Sequence, residues 1–149
     1  MATRCTTWFI FGRASGTIAA GTVCEMGINV TATNRFDVNM TAWAGTAGSG
    51  KSLAVAATAL TVGQYGWFQV EGNAIATVQG APAVGNPVYW QAAGVVSPTL
   101  VASKQALNAV FTSAAAAQIG PVGGTGSTTL SATQAVLLLN RPTAQSQIT

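Results

Sequence analysis

The sequence predicts an all-β protein: a compact antiparallel β-sandwich or barrel, jelly-roll-like, with extended terminal segments. Three observations carry this reading. Roughly ten short apolar runs follow one another at close spacing, each bounded by Gly, Pro, Asn or Ser turn chemistry. Several of them alternate apolar and polar residues with period two. The length of 149 residues fits one domain with a single ordinary core, and no fixed-period repeat divides it. Short strands separated by turns build sandwiches and barrels. The expected organisation is one β domain over 1–149, with 141–149 as a polar C-terminal arm.

The first strand runs from Thr7 to Phe11. Trp8 and Ile10 fall on one face and Phe9 and Phe11 on the other, so both faces are apolar. A strand half-exposed to water alternates instead. This one is therefore central to a two-layer core or pressed against another chain. Strands over Thr17–Val23, Ile28–Thr33 and Phe36–Trp43 follow, the last alternating well. Leu53 to Leu60 fits a helix by its alanines and a strand by its period.

The stretch Gly63-Gln64-Tyr65-Gly66-Trp67-Phe68-Gln69-Val70-Glu71-Gly72-Asn73-Ala74 is the organising element. Turn residues bound it at Gly63 and at Gly72-Asn73. Parity puts Tyr65, Trp67, Gln69 and Glu71 on one face and Phe68 and Val70 on the other. Gly66 inside the strand marks a bulge or a close backbone approach. Further strands are expected over Ala74–Val78, Val88–Gln91 and Val95–Val96, with Lys104–Thr112 fitting either period. Gly120–Ser127 reads as a flexible loop. Ala135–Leu139 is apolar throughout and reads as buried on both faces, and Asn140-Arg141-Pro142 is expected to stop it.

Charge sets the function classes. The chain has six Lys or Arg, three Asp or Glu and no His, so 6% of its residues are charged while 49% are hydrophobic. Typical soluble domains carry about 25% charged residues. A surface this poor in charge must be amide- and hydroxyl-rich or covered by partners, which indicates a folded protein that lives in an assembly. The basic residues Arg4, Arg13, Arg35, Lys51, Lys104 and Arg141 are scattered, whereas nucleic-acid binders cluster theirs, so no nucleic-acid partner is expected. The four-residue run Trp8–Phe11 is too short for a signal peptide, and no stretch reaches the roughly 18 apolar residues of a membrane span. No membrane partner is expected. Cys5 and Cys24 are the only cysteines. Both read as reduced, buried thiols, with one bridge between them as the alternative.

Gly45-Thr46-Ala47-Gly48-Ser49-Gly50-Lys51-Ser52 satisfies G-x-x-x-x-G-K-[ST], the pattern of a phosphate-cradling loop. Its chemistry also needs a Mg²⁺-holding carboxylate at the end of an apolar strand. Only Glu25, Asp37 and Glu71 are available, and none ends a clean apolar run. The surrounding chain lacks the alternating strands and helices of a parallel α/β sheet. An exposed loop is the expected reading. A histidine-based triad is impossible, and zinc would draw on Cys5, Cys24 and three scattered carboxylates. No enzyme activity, metal or cofactor is expected.

The run GQYGWFQVEGNA, the following VGNPVYW strand and the closing AVLLLNRPTAQSQI resemble the small capsid cement, or decoration, proteins of tailed bacteriophages. The resemblance spans Leu53 to Ile148 and leaves the first fifty residues unmatched. It implies a strand over Leu53–Leu60 and no nucleotide site. It further implies a homodimer or homotrimer on the outer surface of an icosahedral capsid, bridging major capsid protein subunits against internal DNA pressure.

Aromatic and Arg anchors dominate protein interfaces. The candidate interface residues are Trp8, Phe9, Ile10, Phe11 and Arg13 in the first strand, Tyr65 and Trp67 in the organising strand, and Arg141, Gln145 and Gln147 in the C-terminal arm. Two other readings stand beside this one: a carbohydrate-binding adhesion module using Trp67 and Trp90, and a nucleotide binder using Lys51.

Overall fold

The computed structural model describes residues 6–30, 36–120 and 126–146. The described residues are all strand, turn and loop. The strands are β1 (Trp8–Ala14), β2 (Val23–Val30), β3 (Phe36–Ala42), β4 (Leu53–Ala56), β5 (Tyr65–Thr77), β6 (Pro87–Ala92), β7 (Val95–Ser97), β8 (Gln105–Phe111), β9 (Gln118–Ile119), β10 (Thr128–Thr129) and β11 (Gln134–Ala144). The expected all-β class holds. Nine strands form one sheet in the order β1-β3-β2-β4-β5-β11-β8-β6-β7, and a second β1–β5 pairing closes the first five into a barrel. All barrel pairings are antiparallel except β1–β3. A jelly roll would set eight strands in two opposed sheets; the strand order here is a different one.

β5 organises the molecule as its sequence suggests, but it is longer than expected. Gly72-Asn73 does not end it: the strand continues through 13 residues. One edge of β5 pairs with β1 up to Glu71 and with β11 from Glu71 onward. Gly72 makes the handover possible at φ +88°, with Thr6 O and Thr7 Oγ1 at 3.0 Å from where a Cβ would stand. Only glycine takes that conformation without strain. The barrel encloses Ala14, Ile18, Cys24, Met40, Phe68 and Val70, while Trp43, Val78, Phe111, Leu137 and Leu139 belong to a second core under β8 and β11.

β4 joins the two cores. All four of its residues are buried, with Ala54 and Ala56 inside the barrel and Leu53 and Val55 in the second core. A strand covered on both faces cannot alternate, which is why Leu53–Leu60 reads ambiguously.

Several sequence expectations are corrected. Thr17–Val23 is not a strand: Ile18 exchanges backbone hydrogen bonds with Leu60 (2.9 and 2.8 Å), and the two loops plug one barrel end. Gly21 reverses the chain there at φ +80°. Asn140-Arg141-Pro142 does not stop β11 but forms a bulge, between Leu139 opposite Ala109 and Thr143 opposite Leu107. A bulge spares the ladder the missing N–H of Pro142. Leu139 is buried but Leu138 is 44% exposed, so β11 is not covered on both faces. Residues 141–144 are thus the end of β11, and 147–149 of the expected arm lie outside the described residues. So do Cys5 and most of the Gly120–Ser127 loop.

Cys24 is a fully buried free thiol. Burial alone pushes it up from 9.0 to about 12, because the apolar barrel penalises the thiolate. The expected result is that iodoacetamide at pH 8 leaves the Cys24 peptide unmodified in the native chain and alkylates it fully in guanidinium, as read by mass spectrometry. The raised value stabilises the fold below about pH 9, where the unfolded thiol is still protonated. That contribution is lost as pH rises toward about 12, since the unfolded chain ionises first. Rapid native alkylation would show that the barrel opens at Cys24.

Candidate protein-interaction face

The β1–β5 ladder builds the site. Its register sets Phe9 opposite Gln69, Phe11 opposite Trp67, Gly12 opposite Gly66 and Arg13 opposite Tyr65. From Phe9 to Ala14 and from Tyr65 to Val70, even-numbered residues point into the barrel and odd-numbered ones point out; Trp8 lies beyond the register shift at Trp8/Phe9 and is exposed at the barrel's end. A five-stranded barrel has little interior space, and the paired glycines answer that limit. A Cβ on Gly12 would stand 2.8 Å from Met40 Cγ, and one on Gly66 would stand 2.7 Å from Leu60 Cδ1. The close approach expected at Gly66 is therefore Leu60 pressing on its backbone.

With the inner face so filled, the aromatic rings are on the outside. Phe9, Phe11, Tyr65, Trp67 and Trp8 are each between 44% and 56% exposed. The Phe11 ring stacks on Tyr65 at 5.7 Å and 18° and packs at a tilt on Trp67 at 4.9 Å. These cross-strand contacts fix the rings relative to one another. An ordered aromatic face facing water is unusual; scattered apolar residues are not. Of the two alternatives for the first strand, lying inside its own core is excluded for Phe9 and Phe11.

Seven of the ten expected interface residues, Trp8 to Phe11, Arg13, Tyr65 and Trp67, lie on this one ladder. Ile10 is the inward member, half-buried against the barrel core. Arg141 also arrives here, though it is far away in sequence. Its guanidinium lies 5.6 Å from the Trp8 ring centre, and its Nε is 3.7 Å from Glu71 Oε2. Gln145 lies elsewhere: its backbone N–H donates to Gln105 O at 2.8 Å, at the start of β8. Gln147 is outside the described residues.

Sequence reasoning missed Met26, Leu53, Val70 and Pro142, which line the open barrel end beside Trp8. They come from four separate strands, so no local pattern marks them. Trp90, an anchor in the carbohydrate reading, is engaged internally. Its Nε1 donates to Trp43 O at 3.0 Å, Lys104 Nζ sits 4.0 Å from its ring centre, and the ring occupies the space where a Gly45 Cβ would be.

The Gly45–Ser52 motif has a structural use. Lys51 Nζ lies 2.6 Å from Glu25 Oε1, and Lys51 O accepts from the Ala144 N–H at 2.7 Å. Bridges Ser49–Ser146 and Ser52–Thr143 tie the loop to the end of β11. The motif leads into strand β4, whereas a phosphate cradle opens a helix whose N-terminal N–H groups face the anion. Among the described residues, no three His, Cys, Asp or Glu side chains cluster.

No protein-family model matches the chain, and no curated protein matches it in sequence. In three dimensions it is similar to the head fiber gp8.5 N base of bacteriophage phi29. The TM-score is 0.56 and the identity 11%, over 93% of this chain and 98% of that one. At that identity the likeness is one of fold.

Proposed function

We propose that this chain is a structural protein of a bacteriophage particle, seated on the outer surface of the capsid through the β1–β5 aromatic face. The observation that carries the reading is that face. Five half-exposed rings stand together on a chain with only six Lys or Arg and three Asp or Glu. Each ring has roughly 100 Å² left to bury, about 2.5 kcal/mol by area. The fold likeness to a phage head-fiber base supports a place in a particle. The likeness of GQYGWFQVEGNA to cement proteins supports the finer role, bridging adjacent major capsid subunits as a dimer or trimer. Many identical seats on one shell make a modest single contact sufficient.

The test is a quantitative gel of gradient-purified particles washed at rising salt. A band near 15.0 kDa is expected at a fixed ratio to the major capsid protein, still present after 1 M NaCl. Apolar contacts are not screened by salt, unlike charge–charge ones. Absence from particles would refute the reading, and release by moderate salt would refute an aromatic seat. A second reading, glycan binding, draws on a groove beside Phe9 that carries the amides of Gln69, Asn73 and Gln134. Selective retention on a glycan array, with no chain on particles, would favour it.

A further inference from the structure

One end of the barrel is plugged by Ile18 and Leu60; among the described residues, the other is open. Ile10, Met26 and Val70 of the barrel form the floor of the open end, Leu53 of the second core borders it, Trp8 and Arg141 stand at its rim, and the space is about 270 Å³. Among the described residues, Arg141 is the single ionic residue of the lining. We propose that this mouth is a socket for one large apolar side chain of the partner protein, with a neighbouring carboxylate of that partner held by Arg141. The proposal rests on the seating reading and gives the partner's chemistry.

Size argues for a side chain. Small-molecule sites usually run from about 300 to 1,000 Å³, and this one lies at the bottom of that range. Continuity argues for a protein: Phe9 lines the socket and also the hollow it shares with Trp67 on the outer face. A surface seated on the aromatic rings therefore passes over the mouth.

Charge argues for the carboxylate. Arg141 is held at φ +49° in the β11 bulge, a left-handed conformation that costs a non-glycine residue energy and marks functional sites. Its side chain is 69% exposed, and its ion pair with Glu71 is loose, with Nε 3.7 Å from Oε2, beyond hydrogen-bond length. Among the described residues, nothing hydrogen-bonds the two terminal nitrogens, which leaves their donors for a planar anion, and a guanidinium binds a carboxylate best in that two-pronged manner. The Trp8 ring beside it limits where the group can swing.

The test uses the whole chain, ¹⁵N-labelled, titrated with N-acetyl-L-leucine and separately with N-acetyl-L-leucinamide. The acid is expected to bind at about 1–10 mM and to shift the Trp8 indole N–H and Arg141 Nε–H signals. The amide is expected to bind at least about fivefold more weakly. Arg141→Gln, a surface change, removes the difference, and Met26→Trp fills the socket and abolishes both. No shift at these signals up to about 100 mM, or equal binding of acid and amide, would overturn the proposal. Octanoate binding about a hundredfold more tightly than the acid would overturn it in favour of a free anionic amphiphile. On particles, Arg141→Glu is expected to lower occupancy at least about tenfold. Unchanged occupancy refutes the socket alone, whereas absence of the native chain from particles refutes the seating reading.

Discussion

Phe11→Thr combined with Trp67→Thr is expected to abolish association with the particle while leaving the fold intact. Both side chains point to solvent, and Phe11 is the shared partner in the two ring contacts of the face. Threonine keeps the strand propensity of both positions, so the loss to the fold is the cross-strand aromatic contact, about 1 kcal/mol. For a chain of this size that lowers the melting temperature by only a few degrees. Binding responds differently. Buried aromatic anchors each contribute about 2 kcal/mol or more to an interface. Losing two at the centre weakens one seat by at least about 100-fold, even allowing for non-additivity. Co-sedimentation with particles stripped of the chain measures this directly. Leu100→Thr, on an exposed loop residue between β7 and β8, serves as the control and is expected to change nothing. Equal sedimentation of the double variant and the native chain would show that the aromatic face is not the seat.

What the sequence disclosed about this face, and what it withheld, follows from the range of the forces involved. Parity is local, so the division of β5 into a face with Tyr65 and Trp67 and a face with Phe68 and Val70 was readable from the strand alone; which face is inward was not. The doubly apolar β1 was an interface candidate because only one of its faces can meet its own core, with a place inside a two-layer core as the alternative. The partner of β1 was not readable. Nothing near Phe11 indicates that Trp67 lies across from it, since that register is set by barrel closure. The turn signal at Gly72-Asn73 was real chemistry put to another use: the positive φ serves a change of partner inside one strand rather than a reversal. Arg141-Pro142 likewise reads as a stop because proline cannot join a ladder, yet the bulge removes that obligation and turns Arg141 over Trp8. Trp90 shows the converse error. Its aromatic strand resembles that of Trp67, but Gly45 lets the ring pack inward, and that glycine is distant in sequence.

Phe68→Ala and Phe111→Ala are expected to be among the most damaging single truncations, and to fail in the same way. Each ring is fully buried, Phe68 in the barrel and Phe111 in the second core. Truncating a buried phenylalanine to alanine costs about 3–5 kcal/mol through lost transfer energy and the remaining cavity, or about 10 °C in melting temperature here. If the barrel and the second sheet were independent, each variant would lower one of two calorimetric transitions. The structure argues for one. β4 places alternate residues in the two cores, so losing either core uncovers one face of the same four-residue strand. β5 carries Phe68 and Val70 into the barrel and Ala74 and Ala76 into the second core along a single strand. Its edge pairs first with β1 and then with β11, leaving no position where one unit could melt and spare the other. Both variants should therefore shift a single transition by similar amounts, with calorimetric and van't Hoff enthalpies equal. Two resolved transitions, with only the lower one moved by Phe68→Ala, would show that β5 breaks at Gly72 on heating. The barrel with its aromatic face would then be a separable unit.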